Sequence, residues 1–381
     1  MEAAHGKEVL ISGASIAGLS TAYWLSQLGY QVTVVELAAQ PRLGGAAINV
    51  QGEALASAKR MGIFEQLKAH RLPPSHLEFK RGDDTTVTPV PPEAAGTLPA
   101  DPAEETEIEE IEIERDKLVT ILLHALPSQV NFLFNNRITG LAETPDALHV
   151  TFAQGPPRTF DLVFGCDGLH SGVRKLWFGH EADYSHFLQH YASLTIVNRL
   201  LLAPNTAQLY NTPGKAVLLN AYNGKTDIIF WFYSATELAY DYRDAAQQRA
   251  IVASQFADQG WRVPELLAAV AEAGISYFDK FSQIKMPAWA KGRVALVGDA
   301  GYCASPAAGI GASLAMSGAA AVAEALAAHA GNFAAAFRTY EQALRPFMEE
   351  VQATAATMLD TFFVPKTEAA IRARNEPRTP V

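Results

Sequence analysis

Short apolar runs and helical periodicities alternate along the first part of the chain. Residues 9–11 form a continuous apolar run, which is typical of a buried parallel strand. Apolar residues then recur at helical spacing, and a second strand-like pattern follows at residues 32–35. The apolar helical positions are Leu19, Ala22, Tyr23, Leu25 and Leu28. The pattern predicts a strand–helix–strand unit, and similar signals continue to Leu67.

The pattern changes further along the chain. Residues 87–105 are rich in proline and irregular. The character becomes β-like over residues 184–277, and this region also contains a helical stretch near residues 245–273. A buried-strand pattern returns at residues 294–297, and residues 333–363 have the composition of a long helix. The chain is therefore predicted to be α/β, with a discontinuous first domain interrupted by a mainly β-sheet insertion.

Composition narrows the class of protein. The chain has 381 residues, a formal net charge of −10 and no run of lysines or arginines, so nucleic acid and anionic membranes are not expected partners. Its two cysteines, Cys166 and Cys303, cannot form a disulfide framework, and no HExxH motif points to a metal site. The polar N-terminus does not resemble a signal peptide, so a cytoplasmic protein is expected.

Residues 300–323 carry no charge and exceed the ~20 residues that a membrane span requires. They contain Pro306 and four glycines, however, and most of their apolar residues are alanine. A loop followed by a buried helix is therefore the prediction, and a membrane span is not expected.

Candidate chemistry lies first at the turn after residues 9–11. Gly13, Ser15 and Gly18 form a G-x-S-x-x-G pattern in which Ser15 replaces the usual middle glycine. A helix starting there points its free N–H groups at the space above the turn, where a pyrophosphate is the expected ligand. Glu36 ends the next strand, about 20 positions on, as required to reach ribose hydroxyls. The alternative for the glycine pattern is a tight turn that binds no ligand, and the alternative for Glu36 is a solvated carboxylate at a strand end.

A second candidate segment comes nearly three hundred residues later. The strand at residues 294–297 leads to Asp299, and Gly309 and Gly311 follow in the uncharged loop. Two nucleotide-handling segments so far apart favour an extended cofactor, FAD, over a nicotinamide nucleotide. An aromatic run at residues 230–233 either lines a substrate face on alternate positions or belongs to the core.

These segments resemble the single-component flavin monooxygenases, which include para-hydroxybenzoate hydroxylase. The similarity covers nearly the whole chain and includes the loop at residues 40–52, Arg115, the Asp167-Gly168 motif and the Asp299 segment. The cofactor-binding residues that the resemblance implies are Gly13, Ser15, Ile16, Gly18, Glu36, Arg42, Gly45, Asn49, Arg115, Asp167, Asp299, Pro306, Gly309, Gly311 and Ala312. Asp299 would bind the ribityl chain, and the glycine loop would approach the flavin ring.

The chain also departs from the family pattern. Cys166 replaces an alanine and Gly172 replaces an arginine in the Asp167-Gly168 motif, although Arg174 remains to support nicotinamide binding. Tyr302 stands where the family has histidine, and Ile310 where it has glutamine. We expect these changes to affect nicotinamide binding, ring mobility or substrate contacts.

The likeness is strongest to the tetracycline destructases, in the loop at residues 40–52, in the segment at 281–306 and in the C-terminal stretch. It implies an FAD-binding domain at residues 1–75, 106–180 and 285–330, a substrate domain at 76–105 and 181–284, and a bridging C-terminal helix and tail at 331–381. Tetracycline is one candidate among hydrophobic aromatic or polycyclic substrates.

The function that the resemblance implies is an FAD-dependent monooxygenase. NAD(P)H, bound transiently, would reduce the flavin, and molecular oxygen would form a flavin C4a-hydroperoxide that hydroxylates the substrate. No catalytic side chain is therefore predicted. The alternatives are a plain NAD-dependent dehydrogenase, a halogenase (whose WxWxIP motif is absent), an oxidoreductase of another hydrophobic substrate, and a non-catalytic flavin- or drug-binding protein. A monomer or dimer is expected.

Overall fold

The computed structural model describes residues 6–42, 44–87 and 108–375. It divides into two compact units. The first comprises Met1–Arg71, Glu109–His186 and Ser282–Ala353, and the second Leu72–Ile108, Phe187–Phe281 and Thr354–Val381. Most of the proline-rich stretch predicted at residues 87–105 lies outside the described residues.

The strands contribute to sheets in both units. In chain order they are β1 (Glu8–Ser12), β2 (Gln31–Val35), β3 (Ala47–Gln51), β4 (His76–Lys80), β5 (Glu110–Glu114), β6 (Asn131–Leu133), β7 (Ile138–Glu143), β8 (Leu148–Phe152), β9 (Arg158–Phe160), β10 (Leu162–Gly165), β11 (Ser185–Val197), β12 (Thr206–Thr212), β13 (Lys215–Tyr222), β14 (Lys225–Tyr233), β15 (Tyr277–Ile284), β16 (Ala290–Lys291) and β17 (Val294–Leu296).

The helices follow the same order. They are α1 (Ile16–Gln27), α2 (Glu53–Arg60), α3 (Phe64–Ala69), α4 (Arg115–Ala125), α5 (Gly172–Trp177), α6 (Ala245–Phe256), α7 (Val263–Ala273), α8 (Asp299–Tyr302), α9 (Gly311–Ala328), α10 (Phe333–Met358) and α11 (Glu368–Asn375). Short 3₁₀ turns lie at Glu181–Asp183 and Pro306–Ala308, and a π-helical turn, Leu359–Phe363, follows α10.

The sheet of the first unit has the order β16-β17-β10-β1-β2-β6 among the described residues. All neighbours from β17 to β6 pair in parallel, and only β16 is antiparallel. Val9, Leu10 and Ile11 in β1 are fully buried because strands and helices cover this part of the sheet, which explains their unbroken apolar run. The predicted α/β class with a mostly parallel sheet is confirmed.

Helix α1 confirms the N-terminal periodicity with two differences. Leu19, Ala22 and Leu25 form its buried face. Tyr23 is only half-buried, and Leu28 lies just beyond the last turn, where it caps the helix end. The helix packs chiefly against α9.

Helix α9 is long and apolar enough to cross a membrane by length and composition. In the structure, 72% of that stretch is buried within the protein, against α1, α2 and β3. This is the position of a core helix, as its alanine-rich sequence predicts.

The sheet of the second unit has the order β15-β11-β14-β13-β12-β4. Strands β11 and β14 pair antiparallel, with Tyr191 opposite Phe232 and His190 opposite Tyr233. These two neighbouring pairs lie on opposite faces of the sheet. Phe230 and Phe232 are completely buried in a core with α6 and α7. Trp231 and Tyr233 are half-buried on the other face, where Trp231 contacts Phe363. The core prediction is therefore confirmed for Phe230 and Phe232, and a substrate face remains a prediction for Trp231 and Tyr233.

The predicted C-terminal helix ends sooner than residue 363. Regular α-helix stops at Met358, and Leu359–Phe363 continues it as a π-helical turn. A further helix, α11, follows, and its Arg374 donates to Asn211 Oδ1 at 2.8 Å and to the Phe362 carbonyl at 2.7 Å. These contacts fix the end of the described chain on the second unit.

Candidate functional site

The predicted site residues meet at one edge of the parallel sheet in the first unit. The turn at Gly13 follows β1, Glu36 follows β2, Asp167 follows β10 and Asp299 follows β17. These strands are parallel, so their carboxyl ends share one edge, where open α/β sheets bind ligands. The four positions are strand neighbours in the order β17, β10, β1 and β2, which spreads the site along the edge.

The glycines of the first turn are required by close packing. Gly13 has φ +103°, and a β-carbon there would lie 2.5 Å from the Cys166 carbonyl oxygen. A β-carbon at Gly18 would lie 1.8 Å from the Gly13 carbonyl oxygen. Both glycines thus bring the start of α1 close to the turn and to the end of β10, with the helix N-terminus at the sheet edge.

Arg115 is the link between Ser15 and the loop before β3. Its guanidinium donates to Ser15 Oγ at 2.7 Å and to the carbonyls of Arg42 at 3.2 Å and Gly44 at 3.1 Å. The antiparallel pair of β3 and β5 positions it, since Ala47 pairs with Glu114, the residue before Arg115. Gly45 leaves room for it, because a β-carbon there would come within 3.1 Å of Arg115 Cδ.

Arg115 has a second arginine beside it. Burial lowers the pKa of Arg115, the neighbouring charge of Arg42 lowers it further, and the Asp116 carboxylate opposes these effects. Arg42 is exposed, and the Ser15 hydroxyl is turned to Arg115 instead of capping α1. Two like charges beside a helix N-terminus, in a chain of net charge −10, favour a bound anion such as a pyrophosphate.

Glu36 is half-buried and ties two loops together. Its carboxylate accepts from the Ala14 N–H and from the Ala38 N–H, both at 2.8 Å. These bonds hold the carboxylate beside the turn after β1 and leave further lone pairs for a ligand hydroxyl.

Asp167 and Arg174 organise the segment after β10. Asp167 accepts from Ser171 Oγ, from the Val173 N–H at 3.1 Å and from Ser12 Oγ at 3.3 Å, while burial raises its pKa. Arg174 is fully buried, and it donates to the Ala300 carbonyl at 2.8 Å and to Glu181 at 3.0 Å.

Arg174 therefore has a structural position. Its guanidinium joins the segments after β10 and β17, and it presents no exposed charge to a nicotinamide nucleotide. The sequence-based interpretation of Arg174 as support for nicotinamide binding is not what the structure favours. Two serines that the sequence analysis missed, Ser12 and Ser171, hold Asp167, and no motif signals them.

Asp299 is exposed to solvent yet crowded by protein on its sides, as a carboxylate on the floor of a cleft would be. That crowding raises the pKa of Asp299, and a hydrogen bond with the Cys303 thiol opposes the shift. Gly298, at φ +70°, brings the segment against α1, since a β-carbon there would lie 3.1 Å from Ala17 Cβ. The two predicted segments are thus adjacent.

Cys303 and Tyr302 lie behind Asp299. Both are buried, and burial raises the pKa of the Cys303 thiol well above its usual range, which makes it a poor nucleophile. The Tyr302 hydroxyl lies 3.1 Å from that of Tyr340, which donates to the Leu296 carbonyl at 3.0 Å. Tyr302 is therefore a core residue behind the cleft.

The glycine loop ends at the N-terminus of α9. Pro306 and Gly309 are exposed, and Gly309 adopts the left-handed φ of +69°. Gly311, the first residue of α9, is also exposed, and a β-carbon there would have open space around it. Ala312 is buried below. The loop can therefore bring backbone amides close to a ligand.

Asn49 lies beside this helix start. Its carbonyl accepts from Ser313 Oγ at 3.0 Å, and Ser313 Oγ accepts from the Gln51 N–H at 3.1 Å. Ser313 is a linking residue that no sequence pattern revealed. All of the predicted site residues fall within the first unit, and the described residues hold no cluster of three or more histidine, cysteine or acidic side chains fit for a metal ion.

Comparisons with known proteins agree with this geometry. Residues 7–355 match the family described as "FAD binding domain". An uncharacterised protein of Mycobacterium tuberculosis (strain ATCC 25618 / H37Rv) is 38% identical over 91% of this chain and 92% of its own. A flavin-dependent monooxygenase from an unknown prokaryotic organism is 33% identical over 97% and 94%. The crystal structure of tetracycline destructase Tet(55) superposes with a TM-score of 0.83, at 32% identity over 97% and 94%.

Proposed function

Because the chain belongs to the FAD-binding-domain family of flavin-dependent monooxygenases, we propose that it consumes NAD(P)H and oxygen to hydroxylate an aromatic or polycyclic small molecule. The observation that carries this proposal is the line of groups along the sheet edge. Arg115 with the start of α1, Glu36 and Asp299 suit the pyrophosphate, ribose and ribityl parts of one extended cofactor.

Each group has a physical task in holding FAD. The cations Arg42 and Arg115 and the N–H groups of α1 neutralise the pyrophosphate, while Glu36 accepts from a ribose hydroxyl. Asp299 accepts from the ribityl chain. The N-terminus of α9 lies after the exposed glycine loop, so its dipole favours negative charge on the ring when the flavin is reduced.

The bound flavin supplies the electron transfer and the oxygen chemistry. The protein's own residues bind and orient it, so no general acid or base has to be assigned. The described residues contain no second Rossmann unit for NAD(P)H, and Arg174 is buried, so we propose transient binding of NAD(P)H that does not use Arg174.

We propose that the second unit supplies the substrate-binding surface, in line with the predicted domain division. The half-buried face of its sheet carries Trp231 and Tyr233 and contacts Phe363. Flat aromatic side chains on such a surface suit a hydrophobic ring system. Tetracycline is the first compound to test, since tetracycline destructase Tet(55) shares this fold.

The test is an absorbance spectrum of the purified protein followed by NADPH and NADH oxidation with and without tetracycline. Flavin bands and drug-stimulated oxidation, with a product heavier by one oxygen atom, are expected. Flavin without stimulation would reject tetracycline and direct the assay to other aromatic compounds. Protection of cells at one protein molecule per drug molecule, without NAD(P)H oxidation, would indicate that the protein sequesters the drug. A protein that cannot bind FAD would refute the proposal.

A further inference from the structure

A cavity opens in the first unit beside Tyr302, the last residue of α8. Its volume is about 260 Å³, and the end of β15, the chain leading to β16, Tyr302 and α10 line it. The apolar part of the lining consists of Met286, Trp289, Tyr302 and Met348, none more than 3% exposed. Two methionines beside an aromatic ring make an adaptable surface for a flat ligand.

The size of the cavity limits the ligand. A cavity of about 150 Å³ accepts benzene, and pockets for drug-sized molecules run from about 300 to 1,000 Å³. At about 260 Å³ this cavity suits one or two fused rings, and it is too small for a four-ring compound. It is thus not a second copy of the proposed substrate site.

Charge at the rim favours an anion. Arg345 is compensated, because it pairs with Glu341 and with Glu349 at 3.5 Å, donates to the Met286 carbonyl at 3.1 Å and lies over the Trp289 ring. Lys285 is exposed, and no carboxylate in the described residues pairs with it. Lys285 is therefore the uncompensated charge of the lining.

The cavity wall is shared with the segment that carries Asp299. Gln352, which is buried and lines the cavity, donates to the carbonyls of Ile284 at 2.8 Å and Cys303 at 3.1 Å. Cys303 in turn bonds to Asp299. Tyr302, at the end of α8, also lines the cavity. A ligand here would contact Gln352 and Tyr302, which adjoin the segment that carries Asp299.

We infer that this cavity is a regulatory site for a one- or two-ring aromatic carboxylate, with its ring against Trp289 and Met348 and its carboxylate on Lys285. The binding half of this inference is independent of the proposed function. The regulatory half rests on it, because the affected property is the affinity for FAD held by Asp299. Linkage requires that the ligand and FAD change each other's affinity by the same factor.

The experiment is calorimetric titration of the FAD-loaded protein with naphthalene-2-carboxylate and with its neutral amide. One saturable site is expected, with the amide about three- to tenfold weaker because it loses the Lys285 charge. Lys285→Gln should weaken the carboxylate to the level of the amide. Lys68→Gln, at an exposed lysine of α3, is the matched control and should change nothing. Ala353→Leu, at the exposed mouth, should weaken both probes.

Several results would overturn the inference. Absence of saturable binding, or equal binding by the parent, Lys285→Gln and Ala353→Leu proteins, would reject the site. Loss of binding in Trp231→Ala instead would place the probe on the second unit. The Kd of FAD, followed by flavin fluorescence, should change about fivefold with the carboxylate present. Binding at Lys285 with an unchanged Kd of FAD would refute the regulatory half alone, whatever the outcome of the turnover assays.

Discussion

Replacing Gly18 with alanine tests how closely α1 must approach the turn after β1. A β-carbon at residue 18 would lie 1.8 Å from the Gly13 carbonyl oxygen and 3.5 Å from Cys166 Cβ. Carbon and oxygen atoms that are not bonded need about 3.3 Å, so the helix start must move back by about 1.5 Å. Leu19 and Ala22 are completely buried, so this movement disturbs packing that has no spare room.

The expected cost lies at the upper end of the range for overpacked cores, about 3 kcal/mol. Because the unfolding entropy scales with the 381 residues of the chain, that cost lowers the Tm by roughly 4 °C. The movement also displaces the N–H groups of α1 from the pyrophosphate position, so FAD affinity should fall at least about tenfold, which corresponds to about 1.4 kcal/mol.

Gly172→Ala is the matched control, since it also adds a methyl group to the first turn of a helix. The nearest heavy atom to its β-carbon would be Asp167 Oδ2 at an ordinary 3.6 Å. Alanine there should be neutral or stabilising by about 0.5 kcal/mol. Thermal unfolding and flavin content after gel filtration report both effects. If Gly18→Ala kept its flavin and its Tm stayed within about 2 °C of the parent value, the packing argument would be wrong.

The other predictions concern the charged groups of the sheet edge. Asp299→Asn should weaken FAD binding yet stabilise the FAD-free protein. Because the folded-state pKa of Asp299 is raised, the parent loses stability as pH rises above the ordinary aspartate value, so the gain should grow from acidic to neutral pH; a gain independent of pH would contradict this. Arg115→Lys should lower FAD affinity about tenfold, since lysine cannot contact Ser15 and two carbonyls together; an unchanged Kd would exclude the role. Glu36→Ala should lower flavin content less than Asp299→Ala does. Full flavin content in either variant would reject the role of that residue in FAD binding.

The local elements were predictable because their causes are local. An unbroken apolar run means a strand covered on both faces, and residues 9–11 have that environment in β1. The glycine pattern and the acid after the next strand placed Gly13, Gly18 and Glu36 at the carboxyl edge of the sheet, where the structure has them. Resemblance supplied the more distant positions, such as Arg42 and Asp299.

Other features depend on contacts between residues far apart in sequence. The run at residues 230–233 alternates, but only the register against β11 and the packing of α6 and α7 decide that Phe230 and Phe232 form the core while Trp231 stays half-buried. Arg174 looks like a ligand-binding arginine in the sequence. Its burial against the Ala300 carbonyl, 126 residues away, makes it a structural link.

The sequence by itself thus determined the parallel strand–turn–helix core, the positions of its acids and glycines, and the type of ligand they suit. Only the tertiary structure decided which polar groups remain available to a ligand. Arg174 and Tyr302 are used internally, whereas Asp299 and Lys285 remain exposed. The physical reason is that backbone conformation follows neighbours in sequence, while burial and hydrogen-bond partners follow neighbours in space.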